Sequence, residues 1–267
     1  MLKVLKILLF ALWFYPLFVT MTLIAGFVCL ISSLFSKKFA RVISGQVWAS
    51  VVLGPALTNL IVTGQDNIPQ CEGGYIVYCN HRSMLDIPVT AMAIERPLTW
   101  VAKSTLGRIP VFGWVLKRVH LLVERQGGPE AAKKMIAEAS ERLKGGEIIT
   151  IFPEGTRNTY EDPPLLPFKK GAFILAKHTK VPLLPVAIYN SGALWPAGVY
   201  LPKVGTIKVT IGKPLTISEG ESLSLITSKA FESLDELYRN LAMDSGKGNT
   251  KGDGEVKGAE TGTNNPG

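Results

Sequence analysis

The chain has 267 residues, 29 Lys+Arg against 21 Asp+Glu and a net charge of +8, a size that suits one sizeable domain plus an appendage. The cationic surplus favours phospholipid headgroups, nucleic acid or phosphorylated substrates as partners, and a mean hydropathy of +0.23, high for a water-soluble domain, turns the choice from nucleic acid toward lipid. Cys29, Cys71 and Cys79 are odd in number and no Cys/His group has zinc spacing, which argues against a disulfide framework and a structural metal and for free thiols in a reducing compartment.

From the amino terminus, Ile7 to Phe35 holds no charged residue. As a helix it would be about 43 Å long at ~1.5 Å per residue, against a hydrocarbon core of ~30 Å. It is too long for a signal-peptide core and ends without a small-residue cleavage site, so it is expected to enter a membrane. Lys3 and Lys6 precede it, Lys37, Lys38 and Arg41 follow it, and cations on both sides give the positive-inside rule little direction. Pro16 is a candidate kink. A second apolar stretch, Phe39 to Val62, is broken by Gly54 and Pro55. Residues 1–62 therefore predict membrane helices: either a pair dipping into one leaflet with its cations at the headgroups, or a single transmembrane span.

Beyond Gly73, short β-branched runs alternate with helical patterns. Tyr75 to Cys79, Leu98 to Ala102, His120 to Val123, Glu147 to Phe152, Leu184 to Tyr189 and Ile207 to Ile211 read as strands. Pro129 to Lys144 reads as a helix, with Pro129 at its first position and Gly145 at its stop; Gly171 to His178 and Leu223 to Leu241 are two more. The pattern predicts an α/β fold over residues 63–244, with a single mixed sheet buried on both faces. From Ser245 the composition falls to Gly, Lys, Thr, Asn and acids, and 245–267 is expected to be a disordered tail.

Chemistry concentrates where strands end. Asn80-His-Arg-Ser-Met-Leu-Asp86 follows the first strand of the domain. On a regular helix, His81 and Asp86 would point ~140° apart. They meet only if His81 lies in a turn before a helix, a reading that Pro88 supports and that makes Asp86 a candidate N-cap. An imidazole accepts a proton near neutrality, and a carboxylate on its other nitrogen fixes the tautomer. Taken alone, the pattern also fits a loop histidine beside a helix cap. Phe152-Pro-Glu-Gly-Thr-Arg157 follows another strand: Gly155 permits close approach of a ligand and Arg157 offers a fork for phosphate, or the segment is a polar turn. Lys103 and Arg125 also follow strands and, with Arg157, can neutralise one phosphate.

These blocks, with Lys103-x2-Leu106-x2-Ile109-Pro110-x-Phe112-Gly113 and Val181-Pro-Leu-Leu-Pro-Val186, lie in one order between Asn80 and Val186. Together they resemble the glycerolipid acyltransferase family, specifically the 1-acylglycerol-3-phosphate acyltransferases. The resemblance implies transfer of a fatty acyl chain from acyl-CoA or acyl carrier protein to the sn-2 hydroxyl of lysophosphatidic acid, giving phosphatidic acid, with no metal or redox cofactor. It makes His81 the base and Asp86 its orienter. It assigns Lys103, Arg125 and Arg157 to phosphate, Glu154, Gly155 and Thr156 to the acceptor site, and the Val181–Val186 strand to the acyl pocket. It implies a two-helix membrane motif and, for a bacterial enzyme, an active site on the cytoplasmic side of the inner membrane. Backbone amides near the helix start are candidates for holding the oxyanion. Arg82, Glu124 and Asn158 depart from the commonest pattern, and related enzymes acylate other lysophospholipids or lyso-amino-acid lipids. Cys79, two residues before His81, leaves open a rival hydrolase with a covalent intermediate.

Overall fold

The computed structural model describes residues 2–70, 73–124, 127–160 and 164–249, with side chains from residue 11 to 245 in those ranges. Arg125, Cys71 and residues 250–267 lie outside the described residues.

The first apolar run forms one helix, α1 (Leu2–Phe35), with Pro16 inside it. Ser36 ends it and caps the next, its Oγ accepting from the Phe39 amide. Helix α2 (Lys37–Val42), a π-helical turn (Ile43–Val47) and α3 (Trp48–Leu53) continue as a return arm. Cys29 Sγ donates to Ala40 O at 3.3 Å, and Trp48 Nε1 donates to Thr22 Oγ1 at 3.3 Å, so the two arms are antiparallel. The expected helical pair exists, but its return arm is largely buried in the protein. Arg41, expected at the headgroups, is buried as well. Its Nη1 lies 2.8 Å from Glu147 Oε1, whose other oxygen accepts from Thr99 Oγ1 at 2.8 Å. An arginine between two apolar flanks has the same composition whether it snorkels or pairs, and only the distant Glu147 decides.

The return arm stops at Leu53, and Thr58–Thr63 is a strand, β1. This corrects the boundary at residue 62: Thr58 to Val62, the end of the second apolar stretch, belongs to the sheet. Strand β2 (Tyr75–Cys79) leads into α4 (Asp86–Ile94), and β3 (Leu98–Lys103) into a short 3-10 segment and α5 (Phe112–Val119). Then follow β4 (Leu121–Val123), α6 (Gly128–Lys144), β5 (Ile148–Ile151), α7 (Gly171–Thr179), β6 (Leu183–Tyr189), the short α8 (Ser191–Leu194), β7 (Gly205–Ile211) and α9 (Leu223–Asn249). Helix α9 runs past Ser245, the residue at which the tail was expected to start.

The seven strands form one sheet in the order β1-β7-β6-β2-β5-β3-β4. From β6 to β4 all neighbours are parallel, while β7 pairs antiparallel with β6 and parallel with β1. The sheet is therefore mixed, as expected. Alternation along β2 explains why its residues are all apolar. Tyr75, Val77 and Cys79 enter the core beneath α3 and α4, whereas Ile76 and Tyr78 enter the core beneath α6, α7 and α9. Because β2, β5 and β3 run the same way, the segments after Cys79, Ile151 and Lys103 emerge on one edge of the sheet, where ligands of open α/β sheets bind.

Candidate active site

His81 lies in the turn between β2 and α4, and its Nδ1 is 2.8 Å from Asp86 Oδ2. A carboxylate only accepts, so Nδ1 carries the proton and Nε2 keeps its lone pair. Asp86 is fully buried and is the first residue of α4 rather than its N-cap. The cap residue is Leu85, which makes no side-chain capping bond. Asp86 reaches backward instead: the same Oδ2 accepts from the Arg82 amide at 2.6 Å and the Ser83 amide at 2.7 Å. That folds the turn so that a residue five positions earlier meets the carboxylate, and it puts a negative charge at a helix N-terminus, where it is favoured.

The segment 152–158 fixes the other side of the histidine. The His81 amide donates to Glu154 Oε1 at 2.7 Å, and His81 O accepts from the Asn158 amide at 2.6 Å. The imidazole stacks on the Phe152 ring, with centroids 4.1 Å apart. Asn80 completes the frame from the neighbouring strand: its amide group donates to Ile188 O at 2.8 Å and accepts from the Ile188 amide at 2.7 Å. The backbone N–H and C=O, Nδ1 and one ring face of His81 thus have partners, and Nε2 is the ring nitrogen left.

His81 is on the wall of a cavity of about 690 Å³, within the ~300–1,000 Å³ typical of ligand sites. Thr22, Ala25, Gly26 and Cys29 of α1 and Ser44 and Trp48 of the return arm form one wall. Residues Trp100–Lys103, Leu106, Phe112, Val115 and Leu116 face them from the α/β domain. The lining is mostly apolar, with Lys103, Glu124 and Lys169 joining His81 where strands end. His120 is also on the wall. Its Nδ1 accepts from the Trp100 amide and its Nε2 is 3.1 Å from Ser44 Oγ. Burial, helped by the nearby Arg142 and Arg41 charges, pushes its pKa down to about 3, so it stays neutral.

Other predicted residues fall in different places. Lys103 and Gly155 line the cavity, whereas Thr156 is exposed and Arg157 half-buried on the same turn, outside the lining. Gly155 has φ +68°, so glycine is favoured there for its conformation. Glu154 is buried, and its oxygens accept from the His81 and Leu166 amides. Those two bonds tie the His81 turn to the segment around residue 166. Burial raises its pKa to about 7 despite those two amides.

The amides of residues 81, 82, 83 and 85, in the turn before α4, all donate within the protein. The Val181–Val186 block lies in β6 between β2 and β7 and does not line the cavity. The guanidinium of Arg82 points away from the cavity, donating to Pro164 O and Tyr160 O and lying over the Tyr238 ring. Cys79 is fully buried, and burial holds its thiol well above the usual range. It has no access to a thioester, which removes the nucleophile of the rival hydrolase.

The profile of the family described as Acyltransferase matches residues 59–189. The 1-acyl-sn-glycerol-3-phosphate acyltransferase of Bacillus subtilis is 32% identical over 189 residues, 67% of this chain and 88% of that one. The chain belongs to the acyltransferase family. The chloroplastic 1-acyl-sn-glycerol-3-phosphate acyltransferase BAT2 of Brassica napus is 30% identical over 190 residues, covering 71% of this acyltransferase and 54% of that protein. The chain thus spans little more than half the length of that plant relative. The crystal structure of the 1-acyl-sn-glycerophosphate (LPA) acyltransferase PlsC from Thermotoga maritima superposes with a TM-score of 0.74 at 27% identity, covering 92% of this acyltransferase and 98% of that one.

Lys169 was missed by the sequence reading of this acyltransferase. It follows the 152–158 turn by more than ten residues and precedes α7, and its only signal is a Lys-Lys pair before a glycine. Its amide donates to Pro153 O at 2.8 Å, which brings the side chain back over Gly155 and onto the cavity wall.

Proposed function

We propose that the protein moves a fatty acyl chain from the thioester of acyl-CoA or acyl carrier protein to the sn-2 hydroxyl of 1-acylglycerol-3-phosphate, forming phosphatidic acid. The observation that carries this reading is the 2.8 Å contact of His81 Nδ1 with Asp86 on the wall of an apolar cavity bearing Lys103 and Lys169. His81 Nε2 takes the hydroxyl proton as the oxygen attacks the thioester carbonyl, and Asp86 stabilises the imidazolium. The thiolate then leaves and takes the proton back from Nε2, so the histidine ends as it began. Lys103 and Lys169 hold the acceptor phosphate, assisted by Arg157 and Arg125.

The apolar stretch Ala11–Phe35 of α1 has a mean hydropathy of 2.3 and is long enough to cross a membrane. However, Phe14, Ala25, Cys29 and Ser33 are buried on one side of α1, while Leu12, Val19, Leu23, Phe27, Ile31 and Leu34 are exposed on the other. A helix docked on its own domain over that span supports insertion of its outer face into one leaflet rather than a crossing, with the site turned toward the cytoplasm where acyl thioesters are made.

The test offers lysophosphatidic acid, other lysophospholipids and lyso-amino-acid lipids with labelled acyl-CoA or acyl carrier protein. Phosphatidic acid is the expected product. His81→Ala should lower kcat by at least ~10²-fold. Acylation of a phosphate-free lysolipid alone, or near-normal turnover by His81→Ala, would overturn the proposal.

A further inference from the structure

Between α8 and β7 the chain makes a loop, residues 195–204, that takes no part in the site and yet presents apolar side chains to solvent. Tyr200 is 83% exposed, Val204 64% and Val199 45%. The parallel register sets Thr58 beside Gly205, so Leu57, itself 53% exposed, enters the sheet edge beside Val204. Contiguous exposed apolar groups of this kind mark contact surfaces.

The loop is continuous with the exposed face of α1. Tyr15 Oη donates to Tyr200 O, and the Phe14 ring meets Trp195 edge-on at 6.0 Å. Trp195 Nε1 donates to Val199 O at 2.8 Å, which holds the tip closed. The surrounding charge has one sign. Residues 163–218 contain no Asp or Glu, nor do residues 1–65, whereas Lys203 and Lys208 flank the tip. On its inner side, the loop accepts a hydrogen bond from Ser83 Oγ at Trp195 O, 2.7 Å away, and the Ser83 amide is one of the donors to Asp86.

We propose that residues 195–204, together with Leu57, are a second bilayer-contacting element that seats in the headgroup layer of an anionic membrane beside α1. This rests on the reading of α1 as a membrane helix. Tyrosine and lysine are the residues that favour headgroup depth, and an irregular loop is tolerated there because water still reaches its backbone. An acidic soluble protein would use the cations but leave the apolar tip uncovered. Since the loop lies between α1 and the His81 turn, its seating depth sets the height of the catalytic histidine above the headgroups.

The test uses the full chain with Cys71→Ser, Cys29 and Cys79 being buried. An environment-sensitive fluorophore is attached at Tyr200→Cys, at Val28→Cys on the outer face of α1, or at Glu219→Cys on the opposite side of the sheet. Vesicles of phosphatidylethanolamine and phosphatidylglycerol carry doxyl quenchers at headgroup-proximal or deep positions. The Tyr200 label should be quenched by headgroup-proximal doxyl, the Val28 label by deeper doxyl, and the Glu219 label by neither. Quenching at Val28 without quenching at Tyr200 overturns this proposal and leaves the α1 reading standing; quenching at neither overturns both. Protection of the Tyr200 label by acyl carrier protein but not by vesicles overturns it in favour of a protein partner.

The double variant Val199→Asp/Tyr200→Asp should partition ~10-fold more weakly onto these vesicles. Its apparent KM for vesicle-borne acceptor should rise with kcat unchanged, and its activity in detergent micelles should match that of the parent. An unchanged KM on vesicles, or an equal loss in micelles, counts against the proposal.

Discussion

At the scale of single residues, the site depends on side chains that tie the His81 turn to the segments around it. Glu154 shows this most clearly, since each of its oxygens accepts one backbone amide. Replacing it with Gln should not be conservative, because the new NH2 group would face an amide donor. Leaving that buried donor unmet costs about 1–3 kcal/mol, so chemical denaturation of Glu154→Gln should show a loss of that size, with kcat falling more than KM changes as His81 loosens. His120 gives a pH signature. Its pKa is pushed down to about 3, so below the ordinary imidazole value the unfolded chain binds a proton that the folded chain refuses. Stability is therefore fully present above that value and is lost as pH falls toward 3. Melting temperatures of the wild type should drop over that range, and the drop should be shallower in His120→Gln. Glu154 has the opposite sign: with a pKa raised to about 7, it stabilises the folded chain at low pH and loses that contribution as pH rises from the ordinary carboxylate range through 7.

At the scale of elements, legibility followed how local the deciding force was. Strands β2, β5 and β6 are buried on both faces, so their composition alone announced them. The His81–Asp86 turn was legible because Pro88 restricts the backbone just after it. Strand β1 was not. An edge strand with one apolar face, reached through Gly54 and Pro55 from an apolar helix, has the hydropathy of that helix continued, and only its pairing with β7 sets it apart. Arg41 and Lys169 were misread or missed because their partners lie far along the chain. Helix α1 carries its own test. A Cβ at Gly26 would lie 2.7 Å from Val111 Cγ1, and Gly26 is on the cavity wall. Gly26→Leu should therefore overpack against Val111 and lower stability by about 1–3 kcal/mol, read from chemical denaturation against the wild type.

At the scale of the whole molecule, the helical hairpin is bound to the α/β domain by a buried ion pair as well as by apolar contact. Arg41 meets Glu147 at 2.8 Å, with Arg142 at 3.7 Å and Thr99 completing the cluster. Removing one partner of a buried pair typically destabilises by about 3–5 kcal/mol, whereas replacing both with apolar groups costs far less. Arg41→Met should therefore unfold at a clearly lower temperature, and Arg41→Met/Glu147→Met should recover much of that loss. The pair matters for chemistry because part of the cavity wall belongs to the hairpin and the rest to the domain. A space bounded in this way can be filled sideways, by parting two surfaces, as well as through an open mouth. Surfactants with a straight alkyl tail are then guests of the pocket and not merely solvents for the protein. An enzyme extracted in such a surfactant should be inhibited competitively by it, and one extracted in a rigid steroid-based amphiphile should not.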